Sequence, residues 1–257
     1  FDIDYFSHCS IGYNELFRGE KGSNILPAFE CGRSYFSREG KGDMSVFLNY
    51  TLKLAETLGK EKYYAVPSGY HDITRVATNK SDEEMKCIFA FLLTYKNLPM
   101  IYYGDEIGVK HNFKVNKDGG YIRTGARTPM QWTEGKNRGF SDYDGRLYLP
   151  VEKRKGASVE CQKSDERSLY NFVKKAIALK KANPAFDYDA SLEVSGGACY
   201  PLKYVRQKDE QKVMVCINPS DEEYAINEKV KRILLAENVT EKGGFTLKKQ
   251  GILVAEI

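Results

Sequence analysis

The sequence predicts an α/β chain in two parts: βα units building a parallel sheet over residues 1–184, then a small antiparallel β domain, a sandwich, over 185–257. Three observations carry this. Strand-like and helix-like segments alternate through the first 183 residues, and the helical segments repeat their apolar residues with a 3.6-residue period. After Asn183-Pro184 the pattern changes to short alternating runs separated by turn residues.

Taken in order, Phe1 to Ser7 is short, aromatic and β-prone. Asp43 is placed to cap a helix with Val46, Phe47, Tyr50, Leu54 and Leu58 on one face, ending at Gly59. A second strand follows at Tyr63 to Pro67. Ser81 and Glu84 form a capping box, and Met85, Ile88, Leu92 and Tyr95 share a face of the next helix, which Asn97 and Pro99 stop. A third strand, Met100 to Tyr103, runs into Gly104. Residues 104–164 then form a polar, Gly-rich excursion, and a loop that long inside a compact domain is usually functional or disordered. Ser164 is expected to cap a third helix with Leu169, Phe172, Val173, Ala176 and Ile177 on its apolar face and Lys180 and Lys181 in its last turn. The later runs Leu202 to Val205, Val213 to Ile217, Arg232 to Leu235 and Ile252 to Ile257 read as antiparallel strands.

Composition removes several function classes. The chain has 257 residues, 42% hydrophobic and 29% charged, and no apolar run approaches the roughly 20 residues of a membrane span. The net charge of +4 comes from 39 basic and 35 acidic residues scattered along the chain, which gives nucleic-acid binding no support. Six cysteines (Cys9, Cys31, Cys87, Cys161, Cys199, Cys216) form no Cys-x-x-Cys pair and have no metal-spaced His; free buried thiols in a reducing, cytoplasmic setting are expected over secretion. The chain opens Phe1-Asp2-Ile3 with no initiator Met, so an upstream part is expected to have been removed.

The chemistry gathers after the second and third strands. Ser68-Gly69-Tyr70-His71-Asp72-Ile73-Thr74-Arg75 places a His-Asp pair just past a strand end, where a barrel enzyme collects its working side chains. Pro99-Met100-Ile101-Tyr102-Tyr103-Gly104-Asp105-Glu106-Ile107-Gly108 and Arg127-Thr128-Pro129-Met130-Gln131-Trp132 follow in order. With the helix ending at Pro184, these segments resemble the α-amylase family of glycoside hydrolases, and its α-glucosidase-like members in particular.

That resemblance implies strands six to eight of a TIM (β/α)8 barrel, and a retaining mechanism on α-glucans or α-glucooligosaccharides, by hydrolysis or transglycosylation. Asp72 matches the carboxylate that stabilises the transition state, and His71 the histidine beside it. Arg75 also matches, and with His71 and Tyr70 the resemblance makes it a candidate to bind substrate; Tyr70 stands where the family usually has Asn, which would narrow the donor subsite or alter the chemistry. Arg123 and Arg127 are candidates to reach an acceptor sugar, against a salt-bridged loop as the plainer reading. Tyr102 and Tyr103 divide between barrel packing and sugar binding, Trp132 is expected to be a structural plug, and Asp105 and Glu106 are expected to be structural. The family's nucleophile and general acid lie upstream of everything matched here, so the chain alone is expected to be inactive and to need the upstream part of the barrel, or self-association, to cover its open sheet edges. No cofactor or metal ligand is expected in this chain; the family's calcium would come through upstream residues. The alternative function is a non-catalytic α-amylase-like scaffold or carbohydrate-binding protein, against which His71-Asp72 and Arg75 argue.

Overall fold

A computed structural model describes residues 35–36, 44–58, 63–117, 119, 121–195 and 200–257. The strand expected at Phe1 to Ser7 and the helix cap expected at Asp43 lie outside these residues.

The first part is a βαβ unit. Helix α1 (Ser45–Leu58) precedes strand β1 (Ala65–Pro67), helix α2 (Asp82–Thr94) crosses over, and strand β2 (Leu98–Met100) returns parallel to β1, with Val66 opposite Pro99. Helix α2 begins with the expected capping box: the Ser81 hydroxyl accepts from the Glu84 amide, and the Glu84 carboxylate accepts from the Ser81 amide. Every residue from Glu84 to Thr94 is buried, so α2 is embedded on all sides rather than amphipathic. Each fully buried Leu, Ile or Phe of this kind contributes about 1.5 to 3 kcal/mol. Strand β2 starts two residues earlier than its sequence pattern, because Leu98 to Met100 pair with β1 and the chain turns off at Tyr102 and Tyr103.

Two helices, a short one and a longer one, follow the long excursion. Ser158 caps α3 (Val159–Ser164) and Ser168 caps α4 (Leu169–Ala182), each hydroxyl accepting an amide three residues on. Ser164, expected to be the cap, is the last residue of α3 instead. Leu169, Phe172, Val173 and Ala176 bury the expected face of α4.

Six antiparallel strands follow: β3 (Ser191–Val194), β4 (Leu202–Lys208), β5 (Gln211–Asn218), β6 (Tyr224–Ile226), β7 (Arg232–Glu241) and β8 (Phe245–Glu256). They form one hydrogen-bonded sheet in the order β3-β4-β5-β8, with β6 beside the first half of β8 and β7 along its other edge. Alternate residues of β5 feed two cores. Val213, Val215 and Ile217 face α2 and α4, whereas Met214 and Cys216 pack with Ile226, Leu247 and Leu253. Arg206, fully buried, ties the sheet to the barrel part by donating to the carbonyls of Thr94 (2.9 Å), at the end of α2, and Ser191 (3.0 Å). Burial pushes its pKa down to about 10.

Candidate active site

Both parallel strands deliver their polar residues to the same end of the sheet. Beyond β1 the chain turns through Tyr70, His71 and Asp72, and the Asp72 carboxylate is the hub of an open cluster. Its Oδ1 accepts from Arg127 Nη2 at 2.7 Å and from Arg123 Nη1 at 3.4 Å, and its Oδ2 lies 3.2 Å from His71 Nε2. Arg127 also donates from Nε to the His71 carbonyl at 3.0 Å, which fixes its fork against the loop. The Asp72 side chain is 36% exposed, and those of Arg127, Arg123 and His71 are more so. Tyr70 is half-buried, edge-on to the His71 ring at 6.0 Å. Sequence positions more than 50 residues apart are thus brought onto one carboxylate by the excursion, in the turn Tyr121–Arg127.

Beneath this lies a second, closed cluster. Arg75 donates to the Tyr103 carbonyl and pairs with Asp105 at 3.2 Å, and neither side chain of the ion pair has any exposure. The guanidinium lies against both the Tyr102 and Tyr103 rings, 4.5 and 4.6 Å from their centres, and the rings meet each other edge-on. Ser68 donates to the other Asp105 oxygen at 2.7 Å and accepts from the Tyr102 amide. Burial raises the Asp105 pKa, with Arg75 and Ser68 opposing that rise. Two glycines make the cluster possible: a Cβ on Gly69 would stand 3.1 Å from Asp105 Oδ2, and Gly104, at φ 85°, would press one to 2.9 Å from Val109.

Arg75 therefore corrects the sequence reading. It was expected to touch substrate, but its side chain is sealed below the mouth because its charge is satisfied by Asp105 and its plane by two rings. It links the two loops instead. Tyr102 and Tyr103 extend the link outward, donating to the carbonyls of Ala126 (3.3 Å) and Thr128 (2.8 Å) on either side of Arg127. Trp132 is a second correction: it is 50% exposed rather than a plug, because its backbone is pinned to Arg138 and Glu160 while its ring faces out. Ser68 is quoted in the sequence motif without a role; its one signal is its place directly before Gly69 at a strand end.

Asp72 is the single carboxylate of the open cluster. Glu106 is partly buried, with its pKa raised by burial and one oxygen that has no hydrogen-bond partner among the described residues. Among the described residues no group of three or more His, Cys, Asp or Glu side chains is placed to hold a metal ion. Cys87, Cys161 and Cys216 are free thiols, and no described helix is long and apolar enough to cross a membrane.

Comparisons with known proteins bear on the family and the fold. A family model for the alpha-amylase catalytic domain matches residues 33–189. A trehalose synthase/amylase of Mycobacterium tuberculosis is 36% identical over 143 residues, 52% of this chain and 23% of that protein. A salivary alpha-glucosidase of Aedes aegypti is 30% identical over 174 residues, 62% of this chain and 30% of that protein. The fold matches crystal structures of an isomaltulose synthase variant from Erwinia rhapontici NX5 with sucrose (TM-score 0.69, 20% identity, 86% of this chain and 49% of that one) and of the trehalulose synthase MutB from Pseudomonas mesoacidophila MX-45 (TM-score 0.70, 18% identity, 83% and 46%). The chain spans about half the length of these structures, and the matched stretch is under a third of the curated relatives.

Proposed function

This chain belongs to the alpha-amylase catalytic-domain family, and from that premise we propose that it is the carboxy-terminal part of a retaining enzyme that hydrolyses or transfers α-glucosidic bonds of α-glucans or α-glucooligosaccharides. The observation that carries the reading is the half-exposed Asp72 carboxylate, held at the strand ends by Arg127, Arg123 and His71. Exposed ion pairs of this kind are worth at most about 1 kcal/mol, so a sugar hydroxyl can replace an arginine on Asp72 at little cost. The freed carboxylate then accepts ring hydroxyls and opposes the positive charge that develops at the anomeric carbon, while His71 donates to a neighbouring hydroxyl. Arg127 and Arg123, displaced from Asp72, are positioned for the acceptor or leaving sugar.

A retaining mechanism needs a nucleophile and an acid about 5 to 5.5 Å apart. Asp105 is sealed against Arg75 and cannot serve as either. In this reading both groups come from the upstream part of the barrel, and the chain alone is inactive. The seam for that part is the outer side of β2, where Leu98 and Met100 are exposed and Ile101, Tyr170, Val173 and Ile177, with Glu106 and Lys174, line an open hollow of about 390 Å³. The free thiols fit a cytoplasmic setting. The test is an assay of the purified chain on a maltooligosaccharide and an aryl α-glucoside, alone and with the upstream barrel part. Turnover is expected only from the combination; robust turnover by the chain alone would defeat the proposal.

A further inference from the structure

Arg127, which holds the Asp72 carboxylate most closely, stands at the end of the turn Tyr121–Arg127, in the excursion and not on a barrel strand. A side chain on such a segment is placed only as well as the backbone beneath it is held. Two phenols hold it: Tyr102 donates to the Ala126 carbonyl at 3.3 Å and Tyr103 to the Thr128 carbonyl at 2.8 Å, one on each side of Arg127. Burial pushes the Tyr102 phenol well above the usual tyrosine range, so its proton stays in place for donation at any working pH.

The phenols are themselves fixed from below. The Tyr102 amide donates to Ser68 Oγ at 3.0 Å, and the Tyr103 carbonyl accepts from Arg75. Arg75 Nε and Nη2 are buried and have no hydrogen-bond acceptor among the described residues. What offsets their burial is the pair of aromatic faces, 4.5 and 4.6 Å from the guanidinium carbon. Ring and hydroxyl thus act on different groups: the rings shield the buried charge of Arg75, and the hydroxyls reach outward to the backbone around Arg127. Phenylalanine keeps the first and lacks the second.

Resting on the proposal that Asp72 and Arg127 handle an α-glucoside, we infer that Tyr102 and Tyr103 are positioning residues for that reaction, acting through Arg127 rather than on the sugar. Their hydroxyls set the backbone on both sides of Arg127 and so the place of its guanidinium. That guanidinium donates from Nε to the His71 carbonyl at 3.0 Å and from Nη2 to Asp72 at 2.7 Å, so a shift of the segment moves a positive charge across the working carboxylate. Misplacement by about 1 Å can cost about 10²-fold in rate, which makes the two phenols matter to turnover without touching substrate.

The experiment compares the unsubstituted chain with Tyr102→Phe plus Tyr103→Phe and with Tyr102→Leu plus Tyr103→Leu. Each is labelled with nitrogen-15 arginine and assembled with the unlabelled upstream barrel part. Three quantities are read: the Arg127 Nε–H resonance, assigned by its loss in Arg127→Lys; kcat/KM on a maltooligosaccharide; and the midpoint of unfolding. The Phe pair is expected to move the Arg127 resonance toward that of a free arginine side chain and to lower kcat/KM about tenfold. Its midpoint should stay well above that of the Leu pair, which strips the rings from Arg75. If the Phe pair does not fold, Tyr103→Phe alone, which loses the shorter bond, carries the same comparison. An unmoved resonance or an unchanged kcat/KM would overturn the inference and leave the α-glucoside reading standing. So would equal losses of activity and of midpoint in the Phe and Leu pairs, the mark of a purely structural role. No turnover by the unsubstituted assembly would overturn the α-glucoside reading and this inference with it.

Discussion

Two arginine–aspartate pairs sit at the ends of adjacent parallel strands, and they differ in almost everything except chemistry. Arg127 and Asp72 meet at 2.7 Å in the open, with a second arginine and a histidine competing for the same carboxylate. Arg75 and Asp105 meet at 3.2 Å with no exposure at all. The open pair is cheap to separate and so is free to engage a ligand, whereas breaking the closed pair strands a buried charge. Position along the chain does not announce this difference, since Asp72 and Arg75 are only three residues apart. Solvent access decides which charge acts and which one holds.

The comparison can be broken at four points. Asp105→Asn leaves Arg75 without its counter-charge and should cost about 3 to 5 kcal/mol of stability, read from denaturant melts. Asp72→Asn should cost about 3 to 4 kcal/mol of transition-state stabilisation in the assembled enzyme, read as kcat, with the melt nearly unmoved. Gly104→Ala places a methyl in a left-handed turn against Val109 and beside Arg75; a loss of about 1 to 3 kcal/mol is expected in thermal unfolding. Arg123→Ala removes the longer of the two arginine contacts to Asp72, at 3.4 Å, and should change stability by less than about 1 kcal/mol. A fall in kcat/KM without that loss of stability would place Arg123 on the substrate.

Much of this was readable before the structure. The Ser81 and Glu84 capping box, the apolar face of α4 and the parallel pairing of the two strands follow from short-range patterns, and His71-Asp72 was marked by its place after a strand. Burial was the part that the sequence hid. Nothing local separates Arg75, which is sealed, from Arg127, which is open, because the sealing comes from Tyr102, Tyr103 and Asp105 about thirty residues away. The same holds for Trp132, whose exposure depends on how Arg138 pins the turn behind it. The short strands β3 and β6 were missed because three or four residues are too few to show an alternation. The cap expected at Ser164 shows the limit on boundaries: Ser168, also a serine before an apolar run, caps α4 instead, and only its bond to the Asn171 amide reveals this.

The most direct test of the division between an acting and a holding aspartate is one paired measurement on Asp72→Asn and the unsubstituted protein, each assembled with the upstream barrel part: kcat on a maltooligosaccharide alongside the midpoint of unfolding. The account predicts a fall in kcat of about 10²- to 10³-fold with the unfolding midpoint held. A near-normal kcat, or a loss of activity that merely tracks a lowered midpoint, would contradict it.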